Sequence, residues 1–143
     1  MKRLHSVKRM GLLVGLLLLC AALGGCGAKD DAAARVLLDG AVWDGAPVAP
    51  GDKAPLRVYI TLDGKALIDL PFDTAHTVSV VQPDGGENVV EITGDAVTMR
   101  SANCDNQDCV EMGAVTADNL EVRVMGGFII CLPHRLSVEV RGD

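Results

Sequence analysis

Between residues 56 and 141 the apolar side chains keep returning at every second position, and this limits the chain more than any other feature. Leu56, Val58, Ile60 and Leu62 alternate with Arg57, Tyr59 and Thr61, and Leu136, Val138 and Val140 alternate with Arg135, Ser137, Glu139 and Arg141. Successive side chains of an extended strand point to opposite faces, so this pattern describes strands with one face buried. Asp63-Gly64 separates the first strand from a returning one at Lys65 to Leu70. Asp-Gly readily takes the positive φ angles that a two-residue hairpin turn demands.

Further strands are read at Thr77–Val81, Asn88–Ile92, Ala96–Arg100 and Phe128–Cys131, with turns at Pro83–Gly86, Gly94-Asp95 and Gly126-Gly127. Leu120, Val122 and Val124 also alternate and read as a strand. No ten-residue stretch of this region carries helical periodicity, although one helical turn fits between Asn106 and Met112. Short strands with glycine-containing turns about every ten residues predict an all-β domain, a small antiparallel barrel or sandwich of hairpins.

The first 55 residues are of another kind. Lys2, Arg3, Lys8 and Arg9 precede an apolar run from Gly11 to Leu23, and no acidic residue occurs before Asp30. Thirteen residues of helix reach only about 20 Å, short of the roughly 30 Å hydrocarbon layer, so the run reads as an export signal. Leu23-Gly24-Gly25-Cys26 resembles a bacterial lipobox, which implies cleavage after residue 25 and a diacylglyceryl group on the Cys26 thiol. Two acyl chains anchor a protein stably where one does not. The expected address is the cell membrane, facing away from the cytoplasm. Residues 26–55, rich in Ala, Gly, Pro and Asp, read as the lipidated cysteine and a flexible tether, and 56–143 as the folded domain. Arg35–Trp43 is the less tether-like part: it also suits a hairpin about Asp39-Gly40, or a segment docked on the domain through Trp43.

Charge narrows the partners. Loss of the first 25 residues removes four bases and no acid, leaving nine basic against 19 acidic residues and a net charge of −10. Nucleic-acid affinity comes from Lys and Arg neutralising phosphates, so a nucleic-acid partner is not expected.

Strand-Asp-Gly-strand at Arg57–Leu70, Asn88-Val-Val-Glu-Ile92, Cys104-x4-Cys109-Val110 and Ile130-Cys-Leu-Pro-His-Arg-Leu136 together resemble the NusG domain II family, over residues 56 to 141. The resemblance implies an all-β fold and a cluster of Cys104, Cys109 and Cys131. It does not bring a transcription role, because the other domains of NusG are missing from this sequence. The family's Cys-Pro-Asp run is Cys104-Asp105-Asn106 here, without the proline, and His134 stands where Asn is common.

Three thiols beyond the lipidated one leave several chemistries open. Export favours disulfides. Chain entropy gives about 2 kcal/mol for a Cys104–Cys109 bridge and roughly 3.5 kcal/mol for either cysteine with Cys131, too small a difference to choose the pair. Cys104–Cys109 needs only a local turn. Thiol exchange through Cys131 is a second use, and a Cys3His zinc site of Cys104, Cys109, Cys131 and His134 a third. His76 reads as a turn residue, and no Gly-x-Ser-x-Gly or phosphate-binding glycine loop is present. The expected role is therefore a membrane-anchored, non-enzymatic binding module with a protein partner in the envelope and no cofactor. The alternative is a thiol-redox or metal-binding accessory module.

Overall fold

The computed structural model describes residues 33–48 and 56–142. The export signal, Cys26 and residues 27–32 and 49–55 of the tether lie outside the described residues.

Among the described residues, ten strands and one helical turn run in the order β1 (Arg35–Leu38), β2 (Ala41–Val42), β3 (Leu56–Leu62), β4 (Lys65–Pro71), β5 (His76–Val81), β6 (Glu87–Ile92), β7 (Ala96–Ala102), α1 (Asp108–Glu111), β8 (Val115–Thr116), β9 (Phe128–Cys131) and β10 (Leu136–Gly142). They form two antiparallel sheets, ordered β2-β1-β5-β6-β7-β8 and β4-β3-β10-β9. The result is sandwich-like and does not close into a barrel. Of the two expected forms, the sandwich is the one observed.

The alternation seen in the sequence sets what faces inward. In the four-stranded sheet Val58 lies opposite Leu70 and Val140, and Ile60 opposite Ile68 and Val138, all buried. In the six-stranded sheet Val78 faces Val90 and Val80 faces Asn88. Each fully buried aliphatic side chain contributes about 1.5–3 kcal/mol, so these inner faces hold the domain together. Asp63 and Gly64 take φ angles of 50° and 74°, the positive pair the hairpin requires. A register shift between Ile60 and Thr61 leaves Leu67 as an extra residue in β4, and another between Val89 and Val90 leaves Arg100 extra in β7.

Two sequence expectations change. Residues 35–42 are not tether: β1 pairs with β5 from Arg35 opposite Val81 to Leu38 opposite Val78, and β2 folds back on β1. Trp43 packs partly buried against the core, and its Nε1 donates to Ala46 O at 3.1 Å. The hairpin and docking alternatives for this segment both hold. Leu120–Val124, in contrast, is not a strand. The chain turns repeatedly from residue 117 to 127, and Val122 and Val124 are 80% and 101% exposed. Asn119 O accepts from Val122 N and Arg123 N. The Arg123 guanidinium donates to the carbonyls of Met112, Gly126 and Phe128, and these bonds hold the segment curled.

Glycine is obligatory at residue 127, where Val140 N donates to Gly127 O at 2.9 Å. A Cβ at residue 127 would stand 2.1 Å from Val140 O, so no side chain fits where β9 begins against β10.

Candidate functional site

The three cysteines expected to cluster do so. Cys104 follows β7, Cys109 sits in α1 and Cys131 ends β9, each from a different element. Their sulfurs lie within 4.8 Å of one another, and Cys104 Sγ is 3.7 Å from Cys109 Sγ. All three residues are buried, at 5%, 1% and 1% exposure. A disulfide holds its sulfurs about 2.05 Å apart, so the described cysteines are three free thiols and not a bridge with a spare.

Local chemistry explains the convergence. After Ala102 the chain leaves the sheet, and Asn103 secures the exit by accepting from Glu87 N at 2.7 Å and donating to Gly85 O at 2.8 Å. Gln107 adopts the left-handed conformation at φ 55°, uncommon for a residue other than glycine. Its carbonyl accepts from Val110 N and Glu111 N to start α1, while its side-chain amide donates back to the carbonyls of Ala102 and Cys104. The same amide nitrogen is 3.9 Å from Cys104 Sγ. This double tether turns Cys109 inward, toward Cys131, which β10 holds opposite Leu136. Gln107 was not foreseen, because glutamine is neither a strong helix cap nor a usual left-handed residue.

Burial pushes the Cys109 thiol up to about 12, aided by contacts with the Cys131 and Cys104 sulfurs, which disfavour a thiolate beside them. The cluster is therefore protonated at neutral pH on Cys109. A ready nucleophile needs a depressed thiol pKa, and Cys109 has the opposite.

His134 does not join the sulfurs. It lies in the turn between β9 and β10, where its Nδ1 is 2.8 Å from Asn88 Oδ1 and its carbonyl accepts from Gln82 Nε2 at 2.9 Å. Asn88 is fully buried and Gln82 nearly so. Asn88 Nδ2 also points at Met99 Sδ, 3.5 Å away. His134 is thus a clamp between the two sheets, satisfying polar groups that would otherwise be buried alone. The four-ligand Cys3His arrangement expected from sequence is reduced to three sulfurs.

A second titratable pair stands elsewhere. His76 Nδ1 is 2.8 Å from Asp39 Oδ2, and Asp39 Oδ1 accepts from Thr77 N at 2.8 Å. Burial works to raise the Asp39 carboxyl, but the bonds from Thr77 N and His76, with the His76 charge, outweigh it and hold the pKa below the ordinary value. His76 Nε2 is buried and has no hydrogen-bond partner among the described residues. The pair fastens the β1–β2 turn to β5.

Two facing antiparallel sheets around a sealed group of three thiols define a small thiol-cored β-sandwich module. The chain belongs to the NusG domain II family, whose profile matches residues 13–143. A DUF1312 family protein from Enterococcus faecalis is similar in structure, with a TM-score of 0.54 and 23% identity over 62% of this chain and 98% of that one. The Lin0431 protein from Listeria innocua gives a TM-score of 0.53 at 22% identity, covering 62% of this chain and 97% of that one. At such identity the similarity is one of fold. No curated protein matches the chain.

Proposed function

We propose that the chain is a non-enzymatic binding module, anchored through lipidated Cys26 in the cell membrane, facing away from the cytoplasm, and engaging a protein partner in the envelope. The observation that carries this reading is the curled segment at residues 117–127. It presents Val122 and Val124 at 80% and 101% exposure and Met125 at 43%, and Phe128 follows at 36%. Apolar side chains held outward on a braced loop suit a protein–protein contact, since scattered exposure alone would need no bracing. Arg123 does the bracing through its bonds to Met112, Gly126 and Phe128. The strong negative charge of the exported chain disfavours nucleic acid as the partner.

A photo-crosslinking residue at position 124, in intact cells, should give one discrete adduct that Val122→Asp abolishes without loss of fold. Diffuse labelling that Val122→Asp leaves unchanged would refute the contact. Turnover of a substrate by the purified protein, abolished by a single Cys or His substitution, would refute the non-enzymatic role.

The convergence of Cys104, Cys109 and Cys131 favours a second reading, a thiol-redox or metal-binding accessory module, with zinc the ion first expected from the sequence.

A further inference from the structure

Three sulfurs at close spacing, joined by no histidine or carboxylate donor among the described residues, restrict what the cluster can hold. We propose that Cys104, Cys109 and Cys131 bind a single monovalent copper ion in a three-coordinate, all-sulfur site. The inference rests on the second reading above and narrows it to one ion.

Spacing comes first. Sulfurs about 2.3 Å from a shared metal stand roughly 3.8 Å apart in a tetrahedral site and about 4.0 Å apart in a trigonal one. Cys104 Sγ and Cys109 Sγ are 3.7 Å apart, and every pair of the three lies within 4.8 Å, so an ion can enter with small side-chain adjustments. Bridging any two sulfurs as a disulfide instead requires closing to about 2.05 Å.

The donor set selects the ion. Among the described residues no histidine, aspartate or glutamate joins the three sulfurs. His134, the one candidate for a fourth ligand, has its Nδ1 on Asn88 and its carbonyl on Gln82. Structural zinc takes four ligands, and a water in the fourth position needs access that residues 1–5% exposed do not give. Soft sulfur donors suit Cu(I), zinc and iron–sulfur clusters alike, and of these Cu(I) is the one content with three of them. Gln107 Nε2, 3.9 Å from Cys104 Sγ, can donate to that sulfur once it is a thiolate, the outer-shell support that metal-bound ligands generally carry.

The test uses the full chain in detergent, anaerobic and fully reduced, given one equivalent of Cu(I) in competition with a chromogenic Cu(I) chelator. Native mass spectrometry should show one copper per chain, and X-ray absorption a shell of three sulfurs and no nitrogen. Loss of an outer-shell partner costs about 10–100-fold in metal affinity, so Cys131→Ser should weaken copper at least ~100-fold. His134→Ala should leave it unchanged. If Cys131→Ser does not fold, the absorption shell of the unaltered chain decides alone. Copper held equally well by Cys131→Ser, a nitrogen ligand lost in His134→Ala, or zinc displacing copper at one equivalent would each overturn the proposal. A chain isolated two hydrogens light that takes no copper after reduction would overturn it while keeping thiol-redox use. Three free thiols with affinity for neither copper nor zinc, and no oxidised form, would remove both.

Discussion

Gly127→Ala tests whether the seam between β9 and β10 is as close as the geometry states. The new Cβ would meet Val140 O at 2.1 Å, Leu120 Cδ2 at 3.1 Å and Val140 C at 3.2 Å. A carbon normally approaches a carbonyl oxygen no closer than about 3.3 Å, so the strands must part by roughly 1.2 Å. That separation breaks the hydrogen bond from Val140 N to Gly127 O, a net loss of about 1 kcal/mol. Overpacking a fixed backbone adds about 1–3 kcal/mol, for a total of about 2–4 kcal/mol. For a domain near one hundred residues this lowers Tm by roughly 10–20 °C. Thermal unfolding followed by far-ultraviolet circular dichroism measures it, with Gly64→Ala as the control. Gly64 has nothing within 4 Å and carries only the left-handed penalty of about 1–2 kcal/mol at φ +74°. If Gly127→Ala lowers Tm no more than Gly64→Ala, the close approach is not real and the reasoning fails.

Three further outcomes follow from the titratable and buried polar groups. The Cys109 thiol is raised from 9.0 to about 12, so between those values the unfolded chain has lost a proton that the folded one keeps. Stability of the reduced protein should then fall with rising pH by about 1.4 kcal/mol per unit, and the difference between wild type and Cys109→Ala in urea titrations isolates this slope; parallel curves would contradict it. His134→Ala leaves Asn88 Oδ1 buried without its partner and should cost about 1–3 kcal/mol, read as a lower urea midpoint at unchanged m. Asp39→Ala should raise amide exchange at Thr77 and along β1. Because the Asp39 pKa is depressed, its contribution is present above the ordinary carboxyl value and is lost as pH falls through the lowered one, so the protection of these amides relative to their intrinsic exchange should drop in acid in wild type but not in the variant.

Where two strands are joined by a short turn, the sequence alone defines the outcome. Asp63-Gly64 carries its own backbone geometry, and the flanking alternation sets the register because a one-residue slip would turn Val58 and Ile60 outward. β1 is less legible, since its partner β5 lies some forty residues away and nothing near Arg35 names it. The Ala-, Gly-, Pro- and Asp-rich stretches on either side of β1 have the composition of a tether, and only the short apolar run Val36–Leu38 stands out from them. Leu120, Val122 and Val124 show the limit of periodicity: alternation marks a chain able to form a strand, but a strand also needs a neighbour to bond. Here the Asn119 carbonyl captures the amides of Val122 and Arg123, and the Arg123 guanidinium captures the carbonyls of Met112, Gly126 and Phe128. The thiol cluster was legible as a grouping, through the motifs around Cys104, Cys109 and Cys131. The place of His134 was not, because Cys-x-x-His spacing says nothing of a buried Asn88 on another sheet waiting for a partner.

The outermost strands of the six-stranded sheet, β2 and β8, are only two residues long. Each offers a passing chain too little backbone to add a strand, so this sheet is a poor template for polymerisation. The four-stranded sheet is different: β4 presents seven residues along its outer side, interrupted by the extra residue Leu67 and bearing charge at Lys65 and Asp69. Any growth of the molecule by strand addition must therefore begin beside β4 or β9. The first is guarded by a bulge and by charge of both signs. The second is capped by its own chain, since Ile130 N donates to Met112 Sδ and the Arg123 guanidinium donates to Phe128 O, so among the described residues neither edge of this sheet lies fully open to a copy of the molecule.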